Sequence, residues 1–396
     1  MSLAQLPFQS PDPLLALIGE IGRDPRREKI DLSVGVYRDE AGRTPVMKAV
    51  KQAERLLIEQ QGSKSYLGPE GDEEFVARLA PILFGSRAPA HARGLQTPGG
   101  TGALRLAADL LALRTDSRRI WLALPAWPNH LPVLAAAGLD VRTFEPFDPF
   151  SQTLRIDAMW DVLEEARPGD AVLLQGCCHN PTGVDPSAEA WAALASFLAE
   201  RRLLPLIDVA YQGFGDGLEQ DALALRQIVA AVPEAIIAYS CNKNFGLYRD
   251  RVGAMFVVAE TAAGADRAMS NARTIARTSY SMPPDHGAAA VRLILSDPAL
   301  SALWEEELDA MRARLQAVRR AVARHGSAGP LRLDPIGRQK GMFSLLPLPP
   351  DSIERLKRDH AIYVAPNGRI NLAGMPLAEV GRLVEALAGV RETATA

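Results

Sequence analysis

The chain reads as an α/β protein built on an open, mainly parallel sheet with helices on both faces, and two observations predict this. Between about Arg93 and Val258, short apolar runs alternate with amphipathic stretches such as Ala188 to Arg201, the pattern of strands and crossover helices. Several of those runs close on residues that carry chemistry, as expected where a sheet of this kind binds ligands beyond the carboxyl ends of its strands.

The run Ala171-Val172-Leu173-Leu174 leads into Cys178-His179-Asn180-Pro181-Thr182-Gly183 and presents an amide. Leu203-Leu204-Pro205-Leu206-Ile207 leads into Asp208-Val209-Ala210-Tyr211, an acid and a phenol. Ala235-Ile236-Ile237-Ala238-Tyr239 leads into Ser240-Cys241-Asn242-Lys243-Asn244-Phe245-Gly246, with Arg251 eight residues beyond the lysine. A lysine just past an apolar strand sits at the mouth of a crevice, where it can condense with an aldehyde, and not on a solvated helix face.

Upstream, Leu95-Gln96-Thr97, then Pro98-Gly99-Gly100-Thr101-Gly102, then Ala103 to Leu113 reads as strand, glycine turn and helix. Glycines let the backbone approach a phosphate, and the N–H groups of a helix start favour a dianion, so Gly100, Thr101 and Gly102 are phosphate candidates. From Pro298 to His325, the spacing of Leu300, Leu303, Trp304, Leu308, Met311, Leu315 and Val318 predicts one long helix leading to a second, smaller domain. Pro11-Asp12-Pro13 reads as an extended arm.

A chain of 396 residues can bury a large core in two or three domains. Its net charge of -3 gives no electrostatic reason to expect nucleic acid or an anionic membrane as partner. No apolar run approaches the ~18 to 20 residues needed to span a bilayer, and no basic segment followed by an apolar stretch opens the chain. A cytoplasmic location is expected. The cysteines agree, because adjacent Cys177 and Cys178 make a poor disulfide pair and leave Cys241 alone. Cys177-Cys178-His179 lacks a fourth clustered ligand, which favours a buried structural role and no metal.

An amine, an acid, a phenol and an amide at neighbouring strand ends are the groups that pyridoxal phosphate requires. Here the chain resembles the fold-type I, class I aminotransferases, and among them the bacterial aspartate and aromatic amino acid aminotransferases. The resemblance runs from about Ile30 to Gly374. It is carried by Val34-Gly35-Val36-Tyr37-Arg38, Gly99-Gly100-Thr101-Gly102, Trp127-Pro128-Asn129-His130, the Asn180 segment, Asp208 to Gly213, the Lys243 segment, Tyr280 to Gly287 and Gly368-Arg369-Ile370-Asn371.

The resemblance implies a large cofactor-binding domain, residues 38–305, with a mainly parallel seven-stranded sheet. It also implies a small α/β domain, residues 306–396, joined by an arm and a segment from residues 1–37. It implies a homodimer with shared active sites. Lys243 would carry the cofactor and move protons, Asp208 would keep the pyridine nitrogen protonated, and Tyr211 and Asn180 would bond the ring hydroxyl oxygen. Trp127 would stack on the ring, and His130 would orient Asp208. Gly100, Thr101, Ser240 and Arg251 would hold the phosphate, with Tyr66 reaching it from the neighbouring subunit.

For substrate binding, the resemblance implies Gly35, Trp127, Asn180, Arg277 and Arg369, with Arg369 supplying a planar fork to the α-carboxylate. Arg277 would cross from the neighbouring subunit to a distal carboxylate. Met282, Gly99, Pro128 and the run Tyr211 to Gly217 look closer to the aromatic enzymes, whereas Val36, Thr44 and Thr101 look like the aspartate type. The expected activity is transamination of aromatic amino acids, aspartate and glutamate with 2-oxoglutarate; the alternative is a narrower aspartate aminotransferase. One departure is Asn242, where the family usually carries a small serine or alanine before the lysine.

Overall fold

The computed structural model describes residues 3–8 and 13–392. At its centre is a seven-stranded sheet. In chain order its strands are β1 (Ala92–Pro98), β2 (Arg119–Ala123), β3 (Asp140–Phe144), β4 (Ala171–Gln175), β5 (Leu204–Val209), β6 (Ala235–Ser240) and β7 (Val252–Val258). Across the sheet they run β1-β7-β6-β5-β4-β2-β3, and only β7 is antiparallel to its neighbours.

The central strands are apolar throughout because both faces are covered. Successive side chains point to opposite faces and so enter different cores. Ile207, Val209, Ile237 and Tyr239 belong to one core, and Leu206, Ile236 and Ala238 to the other. Each fully buried Leu or Ile there contributes about 1.5 to 3 kcal/mol relative to exposure.

Parallel registry brings the chemistry-bearing strand ends level. Gln175 lies opposite Asp208, and Val209 opposite Tyr239. Antiparallel β7 then starts beside the end of β6, with Gly253 opposite Ser240. That return, and not the length of the intervening loop, brings Arg251 back toward Lys243.

The helix after β1 begins at Gly99 and runs to Ala112, four residues earlier than the glycine turn suggested. Gly99 absorbs the change of direction at φ +71°. Gly102 is not at the helix mouth: a Cβ there would meet Pro98 Cδ at 2.7 Å, so this glycine allows the helix to pack on its own entry. Near the start of the chain, Pro11 and Asp12 lie outside the described residues, and Pro13 opens the helix Pro13–Arg23 instead of continuing an extended arm. Proline suits that first position because it needs no N–H partner there.

The long helix spans Pro298–Ala323, its N-terminus capped by Asp297, whose carboxylate accepts from the Ala299 and Leu300 N–H groups at 2.8 and 3.1 Å. Leu300, Trp304, Leu308, Met311, Leu315 and Val318 form its buried face. The first half docks on the lysine segment: Trp304 stacks on Phe245 at 4.3 Å and donates through Nε1 to the Asn244 carbonyl at 2.8 Å. Further along, Arg319 is buried without a carboxylate partner among the described residues. Its guanidinium donates to the carbonyls of Ile336, Lys340, Gly341 and Phe343 and to Ser344 Oγ, at 2.6 to 3.3 Å. Burial pushes its pKa down to about 10.

Beyond that loop the chain folds against its own beginning. Ile30–Asp31 pairs in parallel with Ile362–Tyr363, and Phe343–Leu345 pairs antiparallel with Arg369–Asn371. Among the described residues no helix is long and apolar enough to cross a membrane.

Candidate active site

A cavity of about 180 Å³ opens at the carboxyl ends of β4, β5 and β6. Gly100, Thr101, Trp127, Asn180, Asp208, Tyr211, Ser240, Lys243 and Arg251 all line it. Residues from six separate stretches of sequence are thereby brought together.

Lys243 Nζ sits 5.0 Å from the centre of the Tyr211 ring. Burial lowers its pKa to about 8; nearby Asp208 opposes the shift and Arg251 adds to it. Asp208 Oδ2 lies 2.9 Å from His130 Nε2, and the His130 ring packs edge-on against Trp127 with centres 5.3 Å apart. Asn180 donates through Nδ2 to the Tyr211 hydroxyl at 3.2 Å, which leaves that hydroxyl its own proton to give. Burial pushes the Tyr211 phenol well up.

Arg369 stands behind Asn180, donating through Nη1 to its Oδ1 at 3.2 Å and through Nη2 to the Ser33 carbonyl at 2.8 Å. It is only 3% exposed and lies over the Phe343 ring at 4.4 Å. Its Nε has no hydrogen-bond partner, and no carboxylate pairs with it among the described residues. A buried guanidinium with an open donor is an anion site in waiting. Gly35 is close by: a Cβ there would meet Phe343 Cζ at 2.9 Å, so any larger residue would push this ring off its place beneath Arg369.

At the other end of the cavity, the mouth of the helix Gly99–Ala112 presents Gly100 and Thr101. A Cβ on Gly100 would meet Ser240 Cβ at 2.9 Å, and one on Gly99 would meet Arg251 Nη2 at 2.9 Å. Backbone N–H groups, a hydroxyl and a guanidinium thus converge where only glycine leaves room. That donor set suits a phosphate.

Tyr66 and Arg277, both named from the sequence, lie away from this cavity on the surface. Tyr66 is 90% exposed, and Arg277 is exposed at the end of the helix Ala262–Ser279, where it donates to Ser281 Oγ. Met282 lies beside the Tyr66 segment, its Sδ accepting from the Leu67 N–H at 3.1 Å, and lines a separate surface cleft. His179 turns to Thr182, its Nδ1 2.8 Å from Oγ1, away from Cys177 and Cys178.

The sequence reading missed Gln175 and Phe343. Gln175 lines the cavity and braces Asn180 with two bonds, Nε2 to the Asn180 carbonyl at 2.8 Å and Oε1 from its N–H at 2.9 Å. The signal was available, since Gln175 is the polar residue closing an apolar strand, as Asp208 is. Phe343 gave no such signal; it arrives from a distant segment and meets Tyr211 edge-on at 5.6 Å.

The fold and the cavity together define an aldehyde-cofactor enzyme handling carboxylate substrates. A family model described as aminotransferase class I and II matches residues 27–387. The chain is 53% identical over 376 residues to the tyrosine aminotransferase of Rhizobium meliloti (strain 1021), covering 95% of this chain and 96% of that protein. It is 45% identical to the aspartate aminotransferase of Escherichia coli (strain K12), covering 96% and 97%. The aromatic-amino-acid aminotransferase from Burkholderia pseudomallei, solved covalently bound to pyridoxal phosphate, superposes with a TM-score of 0.93 at 34% identity, covering 98% of this chain and all of that one, 100%. The chain belongs to the class I and II aminotransferases, enzymes that depend on pyridoxal phosphate.

Proposed function

We propose that this protein transfers amino groups between aromatic amino acids, aspartate or glutamate and 2-oxoglutarate, in two half-reactions at one site. The observation that carries the reading is Arg369, a buried guanidinium with an open donor next to the Lys243 cavity. It suits the α-carboxylate common to all these substrates. Relatives named for tyrosine and for aspartate both align over nearly the whole chain, which supports a site that accepts both classes.

Bound pyridoxal phosphate supplies an electron sink for the pair left at the substrate's α carbon. Gly100, Thr101, Ser240 and Arg251 would hold its phosphate, and Trp127 would stack on its ring. Asp208, held by His130, would keep a proton on the pyridine nitrogen, and Tyr211 would donate to the ring hydroxyl oxygen. Lys243 would carry the cofactor, and its amine would be placed to move the proton of the substrate's α carbon. An amine with a pKa near 8 is well matched to that task close to neutral pH. Adding glutamate should discharge the cofactor's absorbance and release 2-oxoglutarate in equal amount; absorbance loss without a keto acid would sink the aminotransferase reading.

We further propose a cytoplasmic homodimer. The exposure of Tyr66, Arg277 and the apolar Leu3, Leu6 and Phe8 supports a partner subunit that covers them. In that arrangement Tyr66 and Arg277 complete the partner's site. Three buried free cysteines accord with a reducing compartment. The large domain would end within the long helix near residue 305, since its first half docks on the lysine segment and its second half on residues 336–375.

Arg277 separates the two substrate classes. Arg277→Leu leaves a distal carboxylate without its partner, a loss of about 3 to 5 kcal/mol, or more than a hundredfold in kcat/KM for aspartate. Phenylalanine has no such group, so the ratio of phenylalanine to aspartate efficiency should rise at least ~tenfold. Steady-state kinetics with both substrates check this, and equal losses would assign Arg277 to the fold.

A further inference from the structure

We propose that the Asn242 side chain is a donor to the cofactor phosphate, acting through Nδ2. The inference rests on the reading of the cavity as the cofactor site. Asn242 is 3% exposed and lines the cavity wall next to Lys243. Its Oδ1 accepts the Val252 N–H at 3.0 Å, one step past the pairing of Ser240 with Gly253, while the Val252 carbonyl accepts from the Cys241 N–H at 3.0 Å. The side-chain oxygen therefore continues the ladder between β6 and β7 where the backbone of β6 turns away.

That bond fixes the orientation of the amide. Only an acceptor can meet the Val252 N–H, so the oxygen faces β7 and the nitrogen faces the opposite way. Nδ2 has no hydrogen-bond partner among the described residues. It points at the mouth of the helix Gly99–Ala112: a Cβ on Gly99 would lie 3.0 Å from Asn242 Nδ2 and 2.9 Å from Arg251 Nη2. Both nitrogens thus crowd Gly99, beside Gly100 and Ser240. Asn242 lines the cavity, so this N–H₂ is free for a bound acceptor, and a phosphate oxygen suits the donor set it joins.

Asn242 thereby does two things at once. It ties the strand that ends at Lys243 to the strand that follows Arg251, and it adds a neutral donor to the guanidinium, hydroxyl and helix N–H groups. Together with Arg251 it leaves no room for a side chain at Gly99.

The test is a spectroscopic titration of the apoenzyme with pyridoxal phosphate and, separately, with pyridoxal, which lacks the phosphate. Asn242→Asp keeps the acceptor for Val252 but turns the donor into a carboxylate aimed at the dianion. It should weaken pyridoxal phosphate by about a hundredfold and pyridoxal by less than about threefold, with Asn242→Ser losing about tenfold for pyridoxal phosphate alone. Thermal stabilisation of the apoenzyme by inorganic phosphate should likewise be lost in Asn242→Asp. Equal losses for both aldehydes, or unchanged affinity for pyridoxal phosphate, would overturn the assignment. Failure of the unaltered apoenzyme to bind pyridoxal phosphate would instead overturn the cofactor reading beneath it.

Discussion

Lys243→Ala should still bind pyridoxal phosphate yet transaminate slower by several orders of magnitude. A positioned proton-transfer group contributes about 10² to 10⁴ in rate, and the exchange of the cofactor between lysine and substrate is lost as well. The phosphate corner, built from Gly100, Ser240 and Arg251, is untouched by the change, so retention should survive. Single-turnover absorbance with glutamate measures the chemical step. Borohydride reduction of the unaltered enzyme followed by peptide mapping should label Lys243, and a label on another lysine would refute the assignment.

The same lysine gives a pH signature in the cofactor-free protein. Its pKa falls from 10.5 to about 8 on folding, chiefly because burial disfavours the ammonium. Between those values the unfolded chain holds a proton that the folded one has shed, so stability rises with pH across that window; below it, both states are protonated and the folded state carries the full cost. Denaturant titrations should show this rise in the unaltered apoenzyme relative to Lys243→Ala. Parallel pH profiles for the two proteins would mean that the amine is solvated.

The second large effect is expected at Asp208. Asp208→Asn removes the charge that keeps the pyridine nitrogen protonated while preserving size and a bond to His130. A fall in kcat on the order of 10² to 10³ is the usual cost of losing one preorganised electrostatic partner of the reacting charge. The melting temperature should change little, because the carboxylate makes its side-chain contact within the cavity wall. Near-normal turnover in this variant would remove Asp208 from the chemistry.

Much of the site was legible because it sits at strand ends, and strand ends can be read from where an apolar run stops. Asn180, Asp208 and Lys243 were found that way, and parallel registry then places them side by side. Gln175 obeys the same rule and was overlooked. Other features depend on contacts between distant segments, which no local pattern encodes. Arg369 meets Asn180 from 189 residues away, and its Phe343 support comes from another strand again. The glycine turn was read as opening a helix at Ala103, but the helix starts at Gly99, and Gly102 serves packing against Pro98. The proline-rich start was read as extended, whereas Pro13 begins a helix, as a residue with fixed φ and no N–H readily does.

The grip of Arg319 on its loop has a consequence for how the sequence can drift. Four of its five acceptors are main-chain carbonyls, and only Ser344 contributes a side chain. A latch that holds backbone is blind to an exposed side chain such as Arg338, which can vary among descendants of this protein while Phe343 stays seated against Tyr211 and Arg369; Gln339, buried and bonded to Gln152 and Ser344, is held by its own side chain. The freedom is bought by rigidity elsewhere: a lysine at 319 has a single nitrogen for five acceptors spread around a plane. Substitutions should therefore accumulate at Arg338 and be purged at Arg319.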